Sequence, residues 1–190
     1  MPGADLTKHV LADGLKEMMQ STPLSHISVG DISKHCKISR NTFYYHFRDK
    51  FDLVNWIFYT EITPKISNVV DVLHWADGLT ELCLYMQENR KFYINAIRTE
   101  GQNSFSECLM EYYEILIKNI LEDSNNALSL SEFEIEAISK FYSYALVGSI
   151  IEWAKDGMKT DPVPLIKLLE KTINGSLFQK VASSIEETHE

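Results

Sequence analysis

The apolar positions of this chain recur three or four residues apart rather than two, the spacing of helices that bury one face. The clearest instance lies at 28–50, SVGDISKHCKISRNTFYYHFRDK. Ser28 is placed to cap a short helix, and Asp31 three residues on completes a reciprocal box. Val29, Ile32 and Cys36 share the inner face of that helix, and Ile38 falls in the turn after it. Ser39 opens a second helix whose apolar positions are Phe43 and Phe47 alone, one turn apart. Arg40, Asn41, Thr42, Tyr44, Tyr45 and His46 take the rest of a helix barely two turns long. Two buried positions contribute little to a core. The outer face is therefore expected to meet a partner.

Around this pair, the pattern predicts an N-terminal helix over 4–20, with Leu6, Val10, Leu15, Met18 and Met19 inward and Gly14 as a modest interruption. Asp49 or Asp52 starts a fourth helix, inward at Phe51, Val54, Ile57 and Phe58, which Pro64 kinks or ends because it lacks an N–H. Further helical patterns run over 65–74, 79–88, 91–98, 105–122, 131–156 and 163–184, broken at 77–78, 101–103 and 123–126. Ser131 with Glu134 forms a capping box for the penultimate helix. That helix carries Ile138, Phe141, Tyr142, Ala145, Leu146, Ser149 and Trp153 on one broad face, where small Ala145, Gly148 and Ser149 allow close approach of another helix. Asp161–Pro162 introduces the last helix, inward at Leu165, Leu168, Leu169, Ile173 and Leu177. Whether Asn174–Gly175 breaks it is left open. The expected fold is all-α: a three-helix head over 1–50, a connecting helix over about 49–63 and a larger helical body over 64–190.

Composition changes this picture only through charge. The 190-residue chain is 45% hydrophobic and acidic, with a formal net charge of −9, which by itself argues against a nucleic-acid partner. The charge is segregated, however: residues 1–60 carry +1, the rest −10, and the 28–50 segment +3. An acidic body would repel DNA and orient the basic end toward it. No run of apolar residues is long enough to cross a membrane, and no basic-then-apolar leader opens the sequence. Cys36, Cys83 and Cys108 are too far apart for a metal motif and are expected as buried reduced thiols, consistent with a cytoplasmic protein.

A helix-turn-helix seated in the DNA major groove accounts for the residue types at 28–50. Arg40 suits guanine, Asn41 adenine, and Thr42 either a thymine methyl or a phosphate. Tyr44, His46 and Lys50 supply phosphate donors, with Lys50 in the first turn of the next helix, whose N-terminal N–H groups also favour an anion, and Ser28, Ser39 and Tyr45 complete the candidate DNA contacts. A merely solvated helix would be rich in Glu and Lys instead. Enzymatic readings find no support: the six histidines form no metal pair, no Gly-rich phosphate loop occurs, and His46 with Asp49 and Ser39 falls within the same DNA-facing segment. No cofactor is expected. The alternative reading is a helical protein-interaction module without autonomous operator binding.

The run ISVGDISKHCKISRNTFYYHFRDKFDLV resembles the DNA-binding region of the tetracycline-repressor (TetR) family of bacterial regulators. The matching positions are Ile27–Ser28, Ile32, Ile38–Ser39, Thr42 to Phe47 and Lys50. Lys37 stands where the family usually has glycine, so this turn requires a non-glycine residue in a left-handed or bridging conformation. Further on, ALVGSIIEWAKDGMKTDP is similar to the C-terminal regions of the DhaS-type subgroup, named after the dihydroxyacetone-kinase regulator. The resemblance implies a homodimer on a palindromic operator, paired through the last two helices; Phe141, Ala145, Gly148, Ser149, Trp153, Leu165, Leu169 and Ile173 are the candidate interface. It implies repression by default, modulated by a small-molecule effector or a protein coactivator. Trp75, Tyr85, Phe92, Tyr93, Phe105, Tyr112 and Tyr113 are the candidates to line an effector cavity.

Overall fold

Helix starts fall where short polar side chains can accept from the free N–H groups of a first turn. In the computed structural model, which describes residues 2–66, 75–123 and 129–175, the described elements are helical or irregular. Ser28 and Asp31 form the reciprocal box that opens α2 (Val29–His35), and Ser39 accepts from the Thr42 N–H to open α3 (Arg40–His46). Asp49, rather than Asp52, caps α4 (Lys50–Glu61) by accepting from Phe51 and Asp52. Ser131 and Glu134 box the start of α9 (Glu132–Lys155), and Asp161 with Pro162 opens α10 (Pro162–Ile173).

The head is built on α1 (Pro2–Met18), which packs against α2 and α4. Its inner face is Leu11, Ala12, Leu15 and Met19; Leu6 and Val10, expected inward, are exposed, because the buried positions fall on the stripe through Leu11, Leu15 and Met19. Gly14 has a role the sequence pattern did not disclose. A Cβ there would overlap Cys36 Sγ, so the missing side chain is what lets α2 lie close on α1. Phe43 and Phe47 are almost wholly buried, and each contributes roughly 2–3 kcal/mol of apolar burial to seating α3.

Helix α4 ends at Glu61, and Pro64 falls inside the short α5 (Thr63–Ile66), so the chain breaks its helix two residues before the proline. Leu53, Val54, Ile57 and Phe58 of α4 are buried and join a core that runs without interruption from Leu11 in the head to Ile166 in the body. The body comprises α6 (Trp75–Glu88), α7 (Arg90–Arg98), α8 (Phe105–Asp123), α9 and α10. Helix α9 lies along α8 and also touches α7, while α10 packs on α6. Asp77 and Gly78, expected as a break, sit within the first turn of α6; Gly78 is buried there, and the Asp77 carboxylate suits the helix N-terminus. The last helix stops at Ile173, with Asn174 as its C-cap and Gly175 at φ 72°, the left-handed residue that ends many helices. The part of that expected helix beyond Gly175, and most of the 65–74 pattern, lie outside the described residues.

Along α9 the buried stripe is Ile135, Ser139, Ser143, Leu146, Val147, Ile150, Trp153 and Ala154. The small serines Ser139 and Ser143 return their hydroxyls to the α9 backbone at Ile135 and Lys140, so α8 can approach without an unpaired polar group. Gly157 and Met158 both take positive φ after α9, and the Trp153 indole donates to Thr160 O at 3.0 Å across this turn. Met158 is buried beneath it.

Candidate nucleic-acid interface

The turn between α2 and α3 sets the pose of α3. Lys37 adopts φ 56°, the left-handed conformation that the missing glycine requires, and Ile38 N–H donates to Ser33 O at 2.9 Å to close the turn. Ile32 and Phe43 lock the two helices together from below. With those anchors inward, α3 presents Arg40, Asn41, Tyr44 and Tyr45 to solvent, Tyr45 at 81% exposure. None of these four makes a hydrogen bond or ion pair among the described residues. The His46 ring is half-buried edge-on against Tyr45, 4.9 Å between centroids.

Three of the expected contact residues, Ser28, Ser39 and Thr42, are engaged in shaping the surface. Ser28 donates to Asp31 Oδ2 at 2.5 Å, and that bond together with the Ser28 N–H holds the Asp31 carboxyl below its usual range, so it stays ionised. Ser39 and Thr42 share a hydroxyl contact of 2.8 Å. The Arg40 guanidinium lies across the start of α2, in space left by the absent Cβ of Gly30. That glycine lets the side chain fold flat while leaving it on the outer surface.

Lys50 departs from the expected phosphate contact. Its Nζ donates to Leu24 O at 2.6 Å and Ile27 O at 2.8 Å, tying α4 to the 3-10 turn at Leu24–His26. The physical reason is local: Leu24 O already closes the turn by accepting from Ile27 N–H at 3.1 Å, and the ammonium supplies a further donor to it and to Ile27 O. Partial burial there pulls its pKa down. Arg48, by contrast, is exposed, 3.7 Å from Asp52.

The seven aromatic candidates for an effector cavity are not brought together. Phe92, Tyr93 and Phe105 are at most 1% exposed and fill the core, because α7 lays its apolar face against α8. Tyr85 turns to Glu61, and Tyr112 packs edge-on against Phe58. Only Trp75 and Tyr113 of the seven border an apolar cavity of about 240 Å³, whose other walls come from α8, Tyr142 and Leu146 of α9, and Ile173. Of the candidate interface, Phe141 and Ala145 are exposed, Gly148, Ser149, Leu165, Leu169 and Ile173 half-buried. Trp153 is a correction: it is 6% exposed and belongs to the core, one helical step off the outward face. Phe133 and Tyr144, which sequence periodicity passed over, are outward and more than half exposed, and Leu168, expected inward, is outward as well at 51% exposure.

Cys83 and Cys108 are buried as expected, whereas Cys36, expected buried, is half-buried between α1 and α2; all three are free. Among the described residues there is no cluster of ligands fit for a metal ion, and no helix long and apolar enough to cross a membrane.

Comparison with known proteins extends the resemblance beyond 28–50. Residues 12–57 match the family described as bacterial regulatory proteins, tetR family, and residues 73–175 match the transcriptional regulator C-terminal region. The chain is 30% identical over 118 residues to the HTH-type dhaKLM operon transcriptional activator DhaS of Lactococcus lactis subsp. lactis, an alignment spanning 62% of each protein. The solved structure of the dihydroxyacetone kinase operon activator DhaS superposes with a TM-score of 0.60 at 27% identity, covering 91% of this chain and 95% of that one. The fatty acid degradation regulator FadR from Bacillus halodurans shares the fold at 14% identity, with a TM-score of 0.64 over 90% of this chain and 95% of its own. These relatives are transcriptional regulators rather than enzymes. With one matched region containing the helix-turn-helix and the other spanning most of the helical body, the chain belongs to the TetR family of bacterial transcriptional regulators.

Proposed function

We propose that this protein works in the cytoplasm as a homodimer that seats its two α3 helices in successive major grooves of a palindromic operator. The observation that carries the reading is the outer face of α3, where Arg40, Asn41, Tyr44 and Tyr45 stand free while Phe43 and Phe47 anchor the helix. One α3 reads only a few base pairs, and two set about 34–36 Å apart read both half-sites. The functional units are the head at 1–50 and the body at 64–190, with α4 between them. Pairing runs through the outward faces of α9 and α10, where Phe141, Tyr144 and Leu168 expose apolar area beside the open surface of Gly148. A C2 contact of this kind is self-complementary.

In this reading the bound dimer represses by occluding a promoter, and the cavity bordered by Trp75, Tyr113 and Tyr142 takes an uncharged effector. An effector acts only if it binds one spacing of the two α3 helices better than the other. A second reading, activation with a protein coactivator, is favoured by the DhaS relatives, both described as activators.

The test begins with genome-wide recovery of bound DNA fragments. On a recovered duplex, the double substitution Arg40→Ala, Tyr44→Ala should weaken binding by at least about 2 kcal/mol, some thirtyfold, while the dimer persists in sedimentation. Unchanged binding would favour the protein-interaction module instead. Promoter assays with the gene deleted then separate repression from activation.

A further inference from the structure

The strongest unexplained feature outside α3 is the charge of α7. Beyond residue 60 the chain is acidic, and α8 and α9 set their lysines one turn from a carboxylate: Lys118 with Glu122, Lys140 with Glu136, Lys155 with Glu152. Helix α7, RKFYINAIR, holds three cations and no acid. Its places one turn from Arg90 and Lys91 are taken by Ile94 and Asn95. Arg90 and Lys91 have no carboxylate, hydrogen-bond or ring partner among the described residues, whereas Arg98 spends one N–H on Lys155 O at 2.6 Å. Three like charges on one short helix repel one another unless something of opposite sign lies between them.

All three border one groove of about 690 Å³, whose opposite wall is the connection from Met19 to Ser25. The groove has no acidic lining residue; the hydroxyls of Ser21, Thr22 and Ser25 can donate to an anion, whereas Gln20, Asn95 and Thr99 donate to backbone carbonyls. Its floor is fixed by Asn95, which accepts from Leu24 N–H at 2.7 Å and donates to Thr22 O at 2.9 Å. An occupant would thus touch α7 of the body and the segment leading into α2 of the head together.

We infer that this groove binds a compact multivalent oxyanion, a small molecule carrying phosphate or several carboxylates, through Arg90, Lys91 and Arg98. The site is separate from the apolar cavity bordered by Trp75 and Tyr113, which offers no cation. Size and chemistry agree: the volume suits a small ligand, and guanidinium groups pair bidentately with either kind of oxyanion. Because the walls belong to α7 and to the α1–α2 connection, occupancy would stiffen the junction that positions α3.

The experiment titrates the full-length protein calorimetrically with pyrophosphate and, separately, with citrate at constant ionic strength and without DNA, so its outcome does not depend on the operator reading. Saturable one-site binding by at least one probe is expected, and the stronger probe assigns phosphate or carboxylate as the preferred chemistry. The double substitution Arg90→Gln, Lys91→Gln should weaken that binding at least tenfold with an unchanged melting temperature, since neither side chain bonds another residue. Arg48→Gln, on the α3 side of the head, should leave it unchanged. Absence of saturable binding by both probes, or equal binding in the double variant, would overturn the site.

Discussion

The carboxylate of Glu61, at the end of α4, accepts a hydrogen bond from the Tyr85 hydroxyl of α6 at 2.5 Å, and on its other side Lys16 of α1 closes at 2.9 Å on both oxygens. Three helices that no local pattern relates are joined at one carboxylate. Lys65 adds its ammonium 4.6 Å over the Tyr85 ring. Burial, then the bond to Glu61, pushes the Tyr85 hydroxyl far above its ordinary pKa, so it remains a donor at every physiological pH. Glu61→Ala strands a half-buried ammonium and a half-buried hydroxyl together. It should cost about 1–3 kcal/mol in urea unfolding. Glu61→Gln keeps an acceptor for Tyr85 but loses the ion pair, and should fall between the two. Equal stability of all three proteins would remove the clasp from the account of how head and body are joined.

Gly14 and Cys36 give a prediction in which two opposing effects must be weighed. In an exposed helix, Gly→Ala gains about 1 kcal/mol of helix propensity. Here the new methyl would overlap Cys36 Sγ and crowd His35 Cδ2 at 3.3 Å. Overpacking of this kind costs about 1–3 kcal/mol. Gly14→Ala should therefore destabilise, and adding Cys36→Ala, which leaves only a Cβ at 3.9 Å, should recover most of the loss. A double-mutant cycle with no coupling would show that α1 and α2 are not held apart by this contact.

The contrast between these sites and α3 explains what could be read in advance. The helix-turn-helix was legible because its determinants are local: Ser28 with Asp31, Ser39 with Thr42, and Phe43 with Phe47 all lie within four residues. Even the strained Lys37 followed from one residue standing where a glycine usually does. The outward face of α9 was misjudged at Trp153 because serines at 139 and 143, polar by type, are buried with their hydroxyls turned to the backbone. A hydrophobic pattern cannot register a buried serine. The aromatic candidates failed together for a different reason: periodicity places Phe92, Tyr93 and Phe105 on inner faces but does not say whether an inner face meets a cavity or another side chain. Asn95 and Glu61 were invisible because their partners lie at sequence separations of up to 76 and 45 residues.

The buried thiols make stability fall in alkali. Burial raises the Cys83 thiol to about 12 and Cys108 to about 11, against 9.0 for a free cysteine. In the unfolded chain both lose their protons near pH 9, while the folded protein still holds them. The unfolded state then binds fewer protons, so stability is undiminished below pH 9 and declines as pH rises from 9 toward 12. Cys83→Ala should flatten this decline in unfolding midpoints measured across that range. At pH 8 a thiol reagent should leave Cys83 and Cys108 unmodified until denaturant is added, with Cys36 alone reacting slowly in the native protein. Rapid native labelling of all three would contradict the packing of α6 and α8.

Lys50 separates a structural lysine from a phosphate contact by salt dependence. Its ammonium satisfies Leu24 O and Ile27 O, and hydrogen bonds from a charged donor contribute about 1.5–3 kcal/mol each before desolvation of the lysine is subtracted. Lys50→Met keeps the aliphatic stem but removes the charged donor from Ile27 O and leaves Leu24 O with the Ile27 N–H alone, so unfolding free energy should fall by about 2 kcal/mol. DNA affinity should fall as well, because the turn that seats α2 loosens. The slope of log affinity against log salt should nevertheless stay at the wild-type value, since no phosphate contact is lost. Were the side chain to swing out and meet a phosphate in the complex, the slope would drop by about 0.9. Measuring both quantities on one duplex decides between the roles, because the folding role alone predicts lost stability with an unchanged slope.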